Sequence, residues 1–451
     1  MTMIEEALAR ATDTKACVIR AGATDDAAKM FRALFPEARK AVVVEDPRTR
    51  AVAGGRVANL LAAAGVAVSE HVVNPDGTDF HATYEKVEEV RDALGAQDGA
   101  IAVAVGSGTL NDLAKRASGE LGRRYMVVGT AASMDGYTAY GAAITKDGMK
   151  QTLDCKAPLG CIVDSAVAAA APKEMVASGY ADLIAKIPSG ADWILADAVG
   201  REAIHPAAWK FVQEPLRAAL ANPSGAASGD VAETEKLCSG LVMSGFAMQA
   251  MGSSRPASGT EHQVSHYWDM EDLSFGGKPV SHGFKVGIGT LASTAFLEML
   301  LDAPVEQLDV EKCVAAWKSW EETERDIRAV FDNDPEFVAR GLKETRGKYV
   351  DKEGLREQLV RLKQAWPGLR GRIRDQIIPF GEVHRRLELV GAPCEPEQIG
   401  VSRAHFRASF EKIPYMRRRY TVVDVAFRCG WMEKWVDRLF GKGGVWQVED
   451  R

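Results

Sequence analysis

The stretch IAVAVGSGTLNDLAK (101–115) decides the fold of the first part of the chain. It reads as a buried strand, a Gly-x-Gly turn and a helix. Backbone amides at a helix N-terminus attract anions, and glycines let a pyrophosphate approach the backbone. The stretch lacks the usual GxGxxG pattern, and a plain tight turn explains its glycines equally well. A second strand and turn, YMVVGTAASMDGYTAYG (125–141), favours a cofactor that lies across two adjacent strand ends.

Strand and helix signals alternate on both sides of this stretch. Helical patterns separate apolar runs typical of buried strands: ACVIR (16–20), AVVVED (41–46) and VAVSEHVV (66–73). This alternation predicts crossover connections and therefore a parallel sheet. Glu45 and Asp46 end the second run, where an acid can accept a hydrogen bond from an adenine ribose or cap the next loop. Further short strands are predicted at 142–145, 150–155 and 160–164.

The pattern changes after Pro172, where the strand signal fades and helical spacing continues to the end of the chain. A chain of 451 residues is also too long for one ordinary hydrophobic core. We therefore predict two domains. Residues 1–168 form an α/β nucleotide-binding domain with a Rossmann-like parallel sheet, and residues 169–451 form an all-helical domain.

The composition limits the class of protein. Apolar residues make up 46% and charged residues 26% of the chain, which is typical of a soluble globular protein. The net charge of -6 argues against a nucleic-acid-binding surface, which needs a basic stripe. Seven scattered cysteines without a CxxC pair indicate reduced thiols. Because neither a signal peptide nor an uncharged apolar stretch of membrane-spanning length is apparent, we expect a cytoplasmic protein without a membrane span.

The last hundred residues are rich in arginine and lysine, as in HRRL, RGRIR and MRRRY. A solvated helix face is the ordinary explanation for such runs. A basic rim around an anionic substrate is the alternative interpretation. The region beyond about residue 305 contains no specific motif, so its role stays open at this point.

Three of the eight histidines fall in GSSRPASGTEHQVSHYWDMEDLSFGGKPVSHGFKVGIG (252–289). His262 and His266 are four residues apart, so on a helix they share one face. His282 follows a glycine-containing loop and opens a new apolar run. Neutral imidazoles in this arrangement can bind a divalent metal if a carboxylate joins them. The alternative is that these histidines are hydrogen-bonded side chains of the surface or the core.

The candidate for that carboxylate is Asp182, in the helical stretch SGYADLIAKIPSGADWILAD (178–197). Its sequence neighbours are mostly apolar, so an aspartate there needs a strong partner, and a metal ion would be one. Asp182 and Lys186 are also spaced i, i+4, which fits an ordinary surface ion pair. The spacing alone leaves both interpretations open.

Five segments occur in a fixed order within about the first 300 residues: GSGTLNDLAK, GTAASMDGYTA, GYADLIAKIPSGADW, GTEHQVSHYWDM and SHGFKVGIG. Together they resemble the sn-glycerol-1-phosphate dehydrogenase family, within the superfamily of iron-containing alcohol dehydrogenases and dehydroquinate synthase-like proteins. The bacterial branch is the most similar, because GTAASMDGY and RPASGTEHQVSH are written almost as that branch writes them. The resemblance implies a dehydroquinate synthase-like fold.

The resemblance also implies roles for individual residues. It assigns the metal ligands to Asp182, His262 and His282, so that the helical domain would bind metal and substrate. His266 would face the reacting centre without being a ligand, and Asp135 would lie near the substrate.

The same resemblance places a nicotinamide cofactor, NAD or NADP, over the two glycine-containing turns. The acid that could reach its ribose is Asp46. Its pyrophosphate would fall on Gly106, Ser107, Gly108 and Asp112, and its nicotinamide half near Thr130 and Ser133. Archaeal members tend to carry serine four residues after the Asp135 position as a cofactor contact, whereas this chain has Ala139. This departure indicates a shifted cofactor or substrate preference.

The reaction implied is the reversible reduction of dihydroxyacetone phosphate by NAD(P)H to sn-glycerol 1-phosphate, with one divalent metal. Zinc is the first candidate for the ion, and an Asp-His-His set also admits nickel and iron. His266, or water held by it, would pass the proton, and Asp135 would hold a substrate hydroxyl. The cations considered for the substrate phosphate, from position only, are Lys186, Arg255 and Lys285.

Two other interpretations stay open. A related polyol dehydrogenase of the glycerol type, or a dehydroquinate synthase-like cyclase, would use the same fold, metal and NAD. A non-catalytic sugar-phosphate sensor would be expected to lose a metal ligand, and all three are present. The sequence does not distinguish NAD from NADP, identify the metal, or say whether the protein is a homo-oligomer.

Overall fold

The computed structural model describes residues 2–146 and 149–449. The strands are β1 (Ala16–Arg20), β2 (Lys40–Glu45), β3 (Ala67–Val72), β4 (Ile101–Gly106), β5 (Tyr125–Gly129), β6 (Ala142–Lys146), β7 (Met149–Leu153), β8 (Gly160–Asp164), β9 (Ser274–Phe275) and β10 (Lys278–Pro279). The helices are α1 (Met3–Arg10), α2 (Ala27–Leu34), α3 (Pro47–Thr49), α4 (Gly55–Ala63), α5 (Tyr84–Gly95), α6 (Gly108–Glu120), α7 (Ser165–Ala169), α8 (Lys173–Ile184), α9 (Lys186–Ala198), α10 (Pro206–Ala219), α11 (Pro223–Ser228), α12 (Val231–Met251), α13 (Thr260–Met270), α14 (His282–Asp302), α15 (Val310–Ala316), α16 (Trp320–Val330), α17 (Pro335–Arg346), α18 (Lys352–Gln376), α19 (Phe380–Val390), α20 (Arg403–Lys412), α21 (Val422–Arg428) and α22 (Met432–Phe440).

The chain forms two compact units. The first comprises Met1–Leu183, Pro206–Ser254 and Leu389–Gly391, and the second comprises Ile184–His205, Arg255–Glu388 and Ala392–Arg451. Both units are discontinuous in sequence, whereas the predicted domains are two continuous ranges. The domain boundary expected after residue 168 therefore stays a prediction.

A six-stranded parallel sheet lies in the first unit, in the order β1-β8-β5-β4-β2-β3. Its four inner strands are buried along nearly their whole length, whereas the edge strands β1 and β3 are partly exposed. Burial on both faces favours the continuous apolar runs that these inner strands carry. The predicted parallel sheet is confirmed, with small shifts at the strand ends. The short strands β6 and β7 form a separate antiparallel pair.

The core of the first unit includes side chains from α2, α4 and the sheet. Phe31 and Val57, from the two helices, belong to one buried cluster with Val43, Val103 and Val128 of the inner strands. These residues are buried from solvent, so their packing fixes the helices on the sheet. The carboxyl ends of the strands, where the glycine-containing turns begin, are held in place by this core.

The second unit is mostly helical, as expected for an all-helical C-terminal domain, with one addition. Strands β9 and β10 form a two-stranded antiparallel hairpin in the loop before His282. Its turn residues Gly276 and Gly277 have φ of 60° and 76°. Two-residue hairpin turns require such left-handed backbone, which glycine adopts without strain. The expected α/β plus α fold class is confirmed by these two units.

The helical stretch predicted over 178–197 is divided in the structure, and other helix ends lie within runs of helical spacing. The division between α8 and α9 falls at Ala185. Ser319 begins α16 with a reciprocal capping pair to Glu322, and Gly430, at φ of 70°, follows the end of α21. Local capping and left-handed glycine residues thus set helix ends that apolar spacing does not reveal.

Helix α14 is, within the described part of the chain, the one helix long and apolar enough to cross a membrane. Of its most apolar window, 89% is buried inside the protein. A buried core helix passes the same test of length and hydropathy as a membrane span. The helix therefore gives only weak support for a span.

Candidate metal centre and cofactor turns

The N-terminus of α13 is fixed by a buried aspartate. Asp192 accepts hydrogen bonds from the backbone nitrogens of Thr260, at 2.8 Å, and Val422, at 2.7 Å. Gly259 permits this approach, because a Cβ atom there would overlap the Asp192 carboxylate. Burial, followed by the neighbouring Glu261 carboxylate, raises the pKa of Asp192 to about 7. These contacts start α13 at Thr260 and so place the first histidine of the segment in its first turn.

Glu261 holds the ring of His262. Its Oε1 lies 2.8 Å from Nδ1 of His262 and accepts a hydrogen bond from the backbone nitrogen of Gly259 at 2.6 Å. Both side chains are buried, and burial raises the pKa of Glu261 to about 7. A hydrogen bond at Nδ1 leaves Nε2 of His262 to bind a metal, the usual arrangement of a ligating histidine.

His282 is the first residue of α14, which Ser281 caps. The ring centroids of His262 and His282 lie 5.2 Å apart. Helices α13 and α14 approach so closely that a Cβ atom on Gly289 would lie 2.5 Å from the backbone oxygen of Glu261. Glycine at this position therefore permits the helix contact that brings the two histidines together.

Asp182 is fully buried in the last turn of α8. Its Oδ2 accepts a hydrogen bond from the backbone nitrogen of Asp135 at 3.1 Å, and the Asp135 carboxylate accepts one from Ser244 at 2.8 Å. Gly179, on the same helix, lets α8 approach the backbone oxygen of Ala132. The aspartate predicted as a ligand thus lies beside the aspartate predicted to contact substrate.

The candidate ligand atoms of Asp182, His262 and His282 all lie within 4.8 Å of one another. One carboxylate oxygen and two imidazole nitrogens are donors that zinc, nickel and iron all accept. The donor set and its spacing therefore fit one divalent ion. His266 is not in this group, and its ring centroid lies 6.3 Å from that of His262.

His266 is half-buried on α13, and charged side chains of both signs act on it. Burial first, and then the charge of Arg417, lowers its pKa well below the usual value, and Arg340 acts in the same direction. Its Nδ1 lies 3.9 Å from Asp269, whose carboxylate also pairs with Lys285 at 2.5 Å. Neither arginine was predicted individually, and the basic run MRRRY was the only sequence signal for Arg417.

The two glycine-containing turns lie side by side at the carboxyl ends of the adjacent strands β4 and β5. Gly106 ends β4, Ser107 precedes α6, and Gly108 is the first residue of that helix. The backbone nitrogen of Thr130 donates to the oxygen of Gly106 at 3.1 Å. A Cβ atom on Gly108 would lie 2.9 Å from Met134 of the second turn. The structure thus brings together the turns over which a pyrophosphate was predicted to lie.

Helix α6 also holds the second turn. Asp112 pairs with Lys115 at 3.4 Å and accepts a hydrogen bond from the backbone nitrogen of residue 143 at 3.1 Å. Ser133 is half-buried, and its backbone oxygen accepts a hydrogen bond from Ser178 at 3.2 Å. The buried ammonium group of Lys115 donates to the backbone oxygens of Gly136, Ala139 and Gly141. The position that departs from the archaeal pattern, Ala139, is therefore fixed through its backbone.

Asp46 caps helix α3, since its Oδ1 accepts hydrogen bonds from two backbone nitrogens at 2.8 Å each. This is the capping role that the sequence left open, and a ribose contact stays a prediction. The neighbouring Glu45 is fully buried, and a Cβ atom on Gly54 would overlap its carboxylate. Burial, followed by the Glu70 carboxylate, raises the pKa of Glu45 to about 8.

The three cations considered for a substrate phosphate are all buried. Arg255 pairs with Glu202 at 3.2 Å and donates to the backbone oxygen of Asp192 at 2.8 Å. Lys285 forms the ion pair with Asp269 described above, and Lys186 lies fully inside the second unit. Arg255 and Lys285 therefore already have partners within the protein.

Comparison with known proteins gives consistent matches. A family model described as iron-containing alcohol dehydrogenase matches residues 18–172. A glycerol-1-phosphate dehydrogenase (NAD(P)+) of Halalkalibacterium halodurans is 35% identical over 56% of this chain and 63% of that protein. A protein of the same name in Bacillus licheniformis is 31% identical over 72% of this chain and 78% of that protein. Another, in Methanothermobacter thermautotrophicus, is 32% identical over 60% of this chain and 74% of that protein. The chain thus spans less than two thirds of the length of the first of these relatives.

Solved structures share the fold over nearly the whole chain. A glycerol dehydrogenase from Schizosaccharomyces pombe has a TM-score of 0.58 at 14% identity, over 98% of this chain and 94% of that one. A maleylacetate reductase from Agrobacterium tumefaciens has a TM-score of 0.58 at 16% identity, over 95% and 96%. The shared fold therefore includes the C-terminal helices that the family model does not match.

Proposed function

Because the chain belongs to the glycerol-1-phosphate dehydrogenase family, on its bacterial branch, we propose that it is a metal-dependent, NAD(P)-linked oxidoreductase. It interconverts dihydroxyacetone phosphate and sn-glycerol 1-phosphate. The observation that carries the proposal is the group of Asp182, His262 and His282, whose donor atoms fit one divalent ion. Zinc is the ion proposed first, and nickel and iron are the alternatives because the donor set accepts all three.

A divalent ion held by Asp182, His262 and His282 would supply a Lewis acid for a substrate carbonyl, and a bound nicotinamide would supply or accept the hydride. The protein's own contribution begins with orientation. Glu261 holds one ring nitrogen of His262 and so directs the other outward. Asp135 is fixed by its backbone contact to Asp182 and by Ser244. Its position beside a metal ligand supports a role in holding a substrate hydroxyl.

His266 is the residue proposed to move the proton. It lies beside the ligand group without belonging to it, four residues after His262 on the same face of α13. Its ring is partly exposed, so it can exchange a proton with water as well as with a bound substrate oxygen. Either the ring itself or a water molecule hydrogen-bonded to it then delivers the proton.

The cofactor is proposed to lie over the paired turns at the ends of β4 and β5. Gly106, Ser107 and Gly108 would receive its pyrophosphate, since first-turn amides and absent side chains favour a close anion. Asp112 would lie beside this pyrophosphate, and Asp46 is the candidate partner of its ribose. Thr130 and Ser133 would lie near the nicotinamide half. The names of the relatives include both NAD and NADP, and the acid at Asp46 favours NAD only if it reaches the ribose.

The substrate is proposed to be a small phosphorylated ketose or polyol, and the location to be the cytoplasm. The seven cysteines support this location, because all of them are free thiols in the structure. A homo-oligomeric state stays open.

The test is metal analysis of the purified protein together with turnover of dihydroxyacetone phosphate, using NADH and NADPH in separate assays. The expected result is one tightly bound divalent ion per chain and oxidation of a reduced cofactor. The oxidation is measured as the loss of absorbance of the reduced cofactor. Faster turnover of glycerol than of the phosphorylated substrate would indicate a polyol dehydrogenase instead. Turnover of a cyclase substrate without net change of NADH would indicate a dehydroquinate synthase-like enzyme, and binding of phosphorylated sugars without turnover would indicate a sensor.

A further inference from the structure

Substrate phosphate requires cationic partners near His266, and the candidates suggested by sequence position are engaged elsewhere. Arg255 pairs with Glu202 at 3.2 Å, and Lys285 pairs with Asp269 at 2.5 Å. Moving Lys285 would leave the buried Asp269 carboxylate uncompensated, and moving Arg255 would break the hydrogen bond that this buried side chain donates to the backbone oxygen of Asp192. The phosphate partners are therefore to be sought among other cations that act on this part of α13.

Arg417 lies in the segment Met416–Tyr420, which is fixed against α13. Gln263, three residues before His266, donates from its side-chain amide to the backbone oxygen of Arg419 at 3.3 Å. Residues three apart on a helix share a face, so the segment passes on the side of α13 that carries His266. Arg417 is half-buried, and its charge has the largest influence on the pKa of His266 after burial.

Arg340 lies on α17, which packs against α13 at the residue after His266. The ring of Phe337, three residues earlier on α17, packs against Tyr267, the residue after His266, with centroids 6.1 Å apart. Arg340 is half-buried, and its Nε is buried without a hydrogen-bond partner among the described residues. A buried donor without an acceptor costs free energy. An oxygen-rich ligand at this position would supply that acceptor.

The nearby acid is hydrogen-bonded to a different arginine, and Arg340 acts on it only through its charge. Glu344, one turn later on α17, is engaged by Arg418, through the backbone nitrogen at 3.0 Å and Nε at 3.2 Å. Positive charges also lie close together in the neighbouring segment. Burial lowers the pKa of Arg419, and the positive charge of Arg417 lowers it further. A phosphate monoester carries nearly two negative charges and presents oxygens that match guanidinium groups in pairs.

We propose that Arg340 and Arg417 bind the phosphate group of the substrate beside His266. The inference rests on the proposed function and deepens it, because it names the residues that select a phosphorylated ketose over an unphosphorylated one. It also gives a role to helices beyond residue 305, where no sequence motif is apparent. The histidine that moves the proton and the arginines that hold the phosphate then lie in the same unit.

The test compares dihydroxyacetone phosphate with dihydroxyacetone as substrates of the full-length, metal-loaded protein. Arg340→Gln and Arg417→Gln should each raise KM for the phosphorylated substrate at least about tenfold, the effect of losing a hydrogen bond to a charged group. Their kcat/KM for dihydroxyacetone should stay close to that of the wild type. Lys343→Gln is the matched control, since it removes one positive charge from an exposed position on α17 and should leave both substrates unaffected.

Arg340→Lys and Arg417→Lys provide a second series, because they keep the charge but lose the paired hydrogen bonds. They should raise KM for the phosphorylated substrate by a smaller factor than the glutamine variants. If the thermal unfolding midpoint shows that a glutamine variant does not fold, the KM of the corresponding lysine variant for the phosphorylated substrate tests the site instead. An unchanged KM in a folded variant, or an equal loss on both substrates, overturns the phosphate site.

Binding of inorganic phosphate separates this inference from the proposed function. Isothermal titration calorimetry of the full-length protein should show binding that both glutamine variants weaken and the control retains. If that pattern holds while the wild type fails to reduce dihydroxyacetone phosphate, the proposed function fails and the phosphate site stands. If the wild type reduces it and the glutamine variants keep their KM, the phosphate site fails and the function stands.

Discussion

Nδ1 of His262 lies 2.8 Å from Oε1 of Glu261, the residue directly before it on α13. The carboxyl is fully buried and is held in place by the backbone nitrogen of Gly259 at 2.6 Å. A candidate ligand and the group that fixes its ring therefore come from one helical turn. Such a partner fixes the tautomer and the direction of the ring, so the nitrogen that would bind a metal is predetermined.

Replacement of Glu261 with glutamine should weaken metal binding about 10- to 100-fold, as loss of an orienting carboxylate usually does. Glutamine keeps the size of the side chain, so the fold should be retained. The affinity can be measured by competition with a chromophoric chelator. Glu306→Gln, at an exposed position of the same unit, is the matched control. Equal affinities in the two variants would mean that Glu261 does not orient the ligand.

Replacement of His262 with alanine should remove the metal and abolish turnover while leaving the metal-free protein folded. The reason is that a three-ligand site retains little affinity with two ligands. Metal content by elemental analysis and secondary structure by circular dichroism would check both parts of the expectation. His81→Ala, in an exposed loop of the first unit, should retain metal and activity. Full activity of the His262 variant would refute the ligand assignment.

Replacement of Gly289 with alanine should both destabilise the protein and weaken metal binding. Its Cβ atom would lie 2.5 Å from the backbone oxygen of Glu261, so α14 must move away from α13 and carry His282 with it. Overpacking of this kind typically costs about 1–3 kcal/mol. Gly368→Ala, in α18, is the control, since no atom lies within 4 Å of its added methyl group.

In the Gly368→Ala control, the free energy of unfolding should instead be unchanged or rise by up to about 1 kcal/mol, because alanine favours a helix more than glycine does. Urea unfolding and chelator competition on both variants check the comparison. A Gly289 variant with unchanged stability and metal affinity would show that the close helix contact is not required.

The buried carboxyl of Glu45 should make stability fall as pH rises. Burial, followed by Glu70, raises its pKa from 4.5 to about 8. The folded protein therefore keeps a proton that the unfolded chain releases above about pH 4.5. The free energy of unfolding then falls between about pH 4.5 and about pH 8, by up to about 1.4 kcal/mol for each pH unit.

Glu45→Gln should remove this contribution. Urea unfolding at about pH 6 and about pH 8 should show a smaller decrease in the variant than in the wild type. Glu37→Gln, at an exposed position of the same unit, should behave like the wild type. The same decrease in all three proteins would show that Glu45 ionises normally in the folded state.

The α/β pattern was predictable because buried parallel strands need continuous apolar runs, such as Val42, Val43 and Val44 in β2. The divisions between long helices were less predictable, since a cap at Ser319 or a left-handed Gly430 is a local feature inside helical spacing. The candidate ligands were recognisable from the order of the motifs. The contacts of Asp46 were not, because a capping acid and a ribose-binding acid look the same in sequence.

The sequence by itself determined which residue types are available for metal chemistry, which segments form strands and helices, and the family to which the chain belongs. Only the tertiary structure decided which of many charged side chains act together. Glu261 is adjacent to its partner in sequence, but Arg340 on α17 and Arg417 before α21, the proposed phosphate partners, lie far along the chain from His266. The physical reason is that helix packing, which depends on glycine contacts and buried caps, sets distances between segments, and sequence spacing constrains only residues of the same segment.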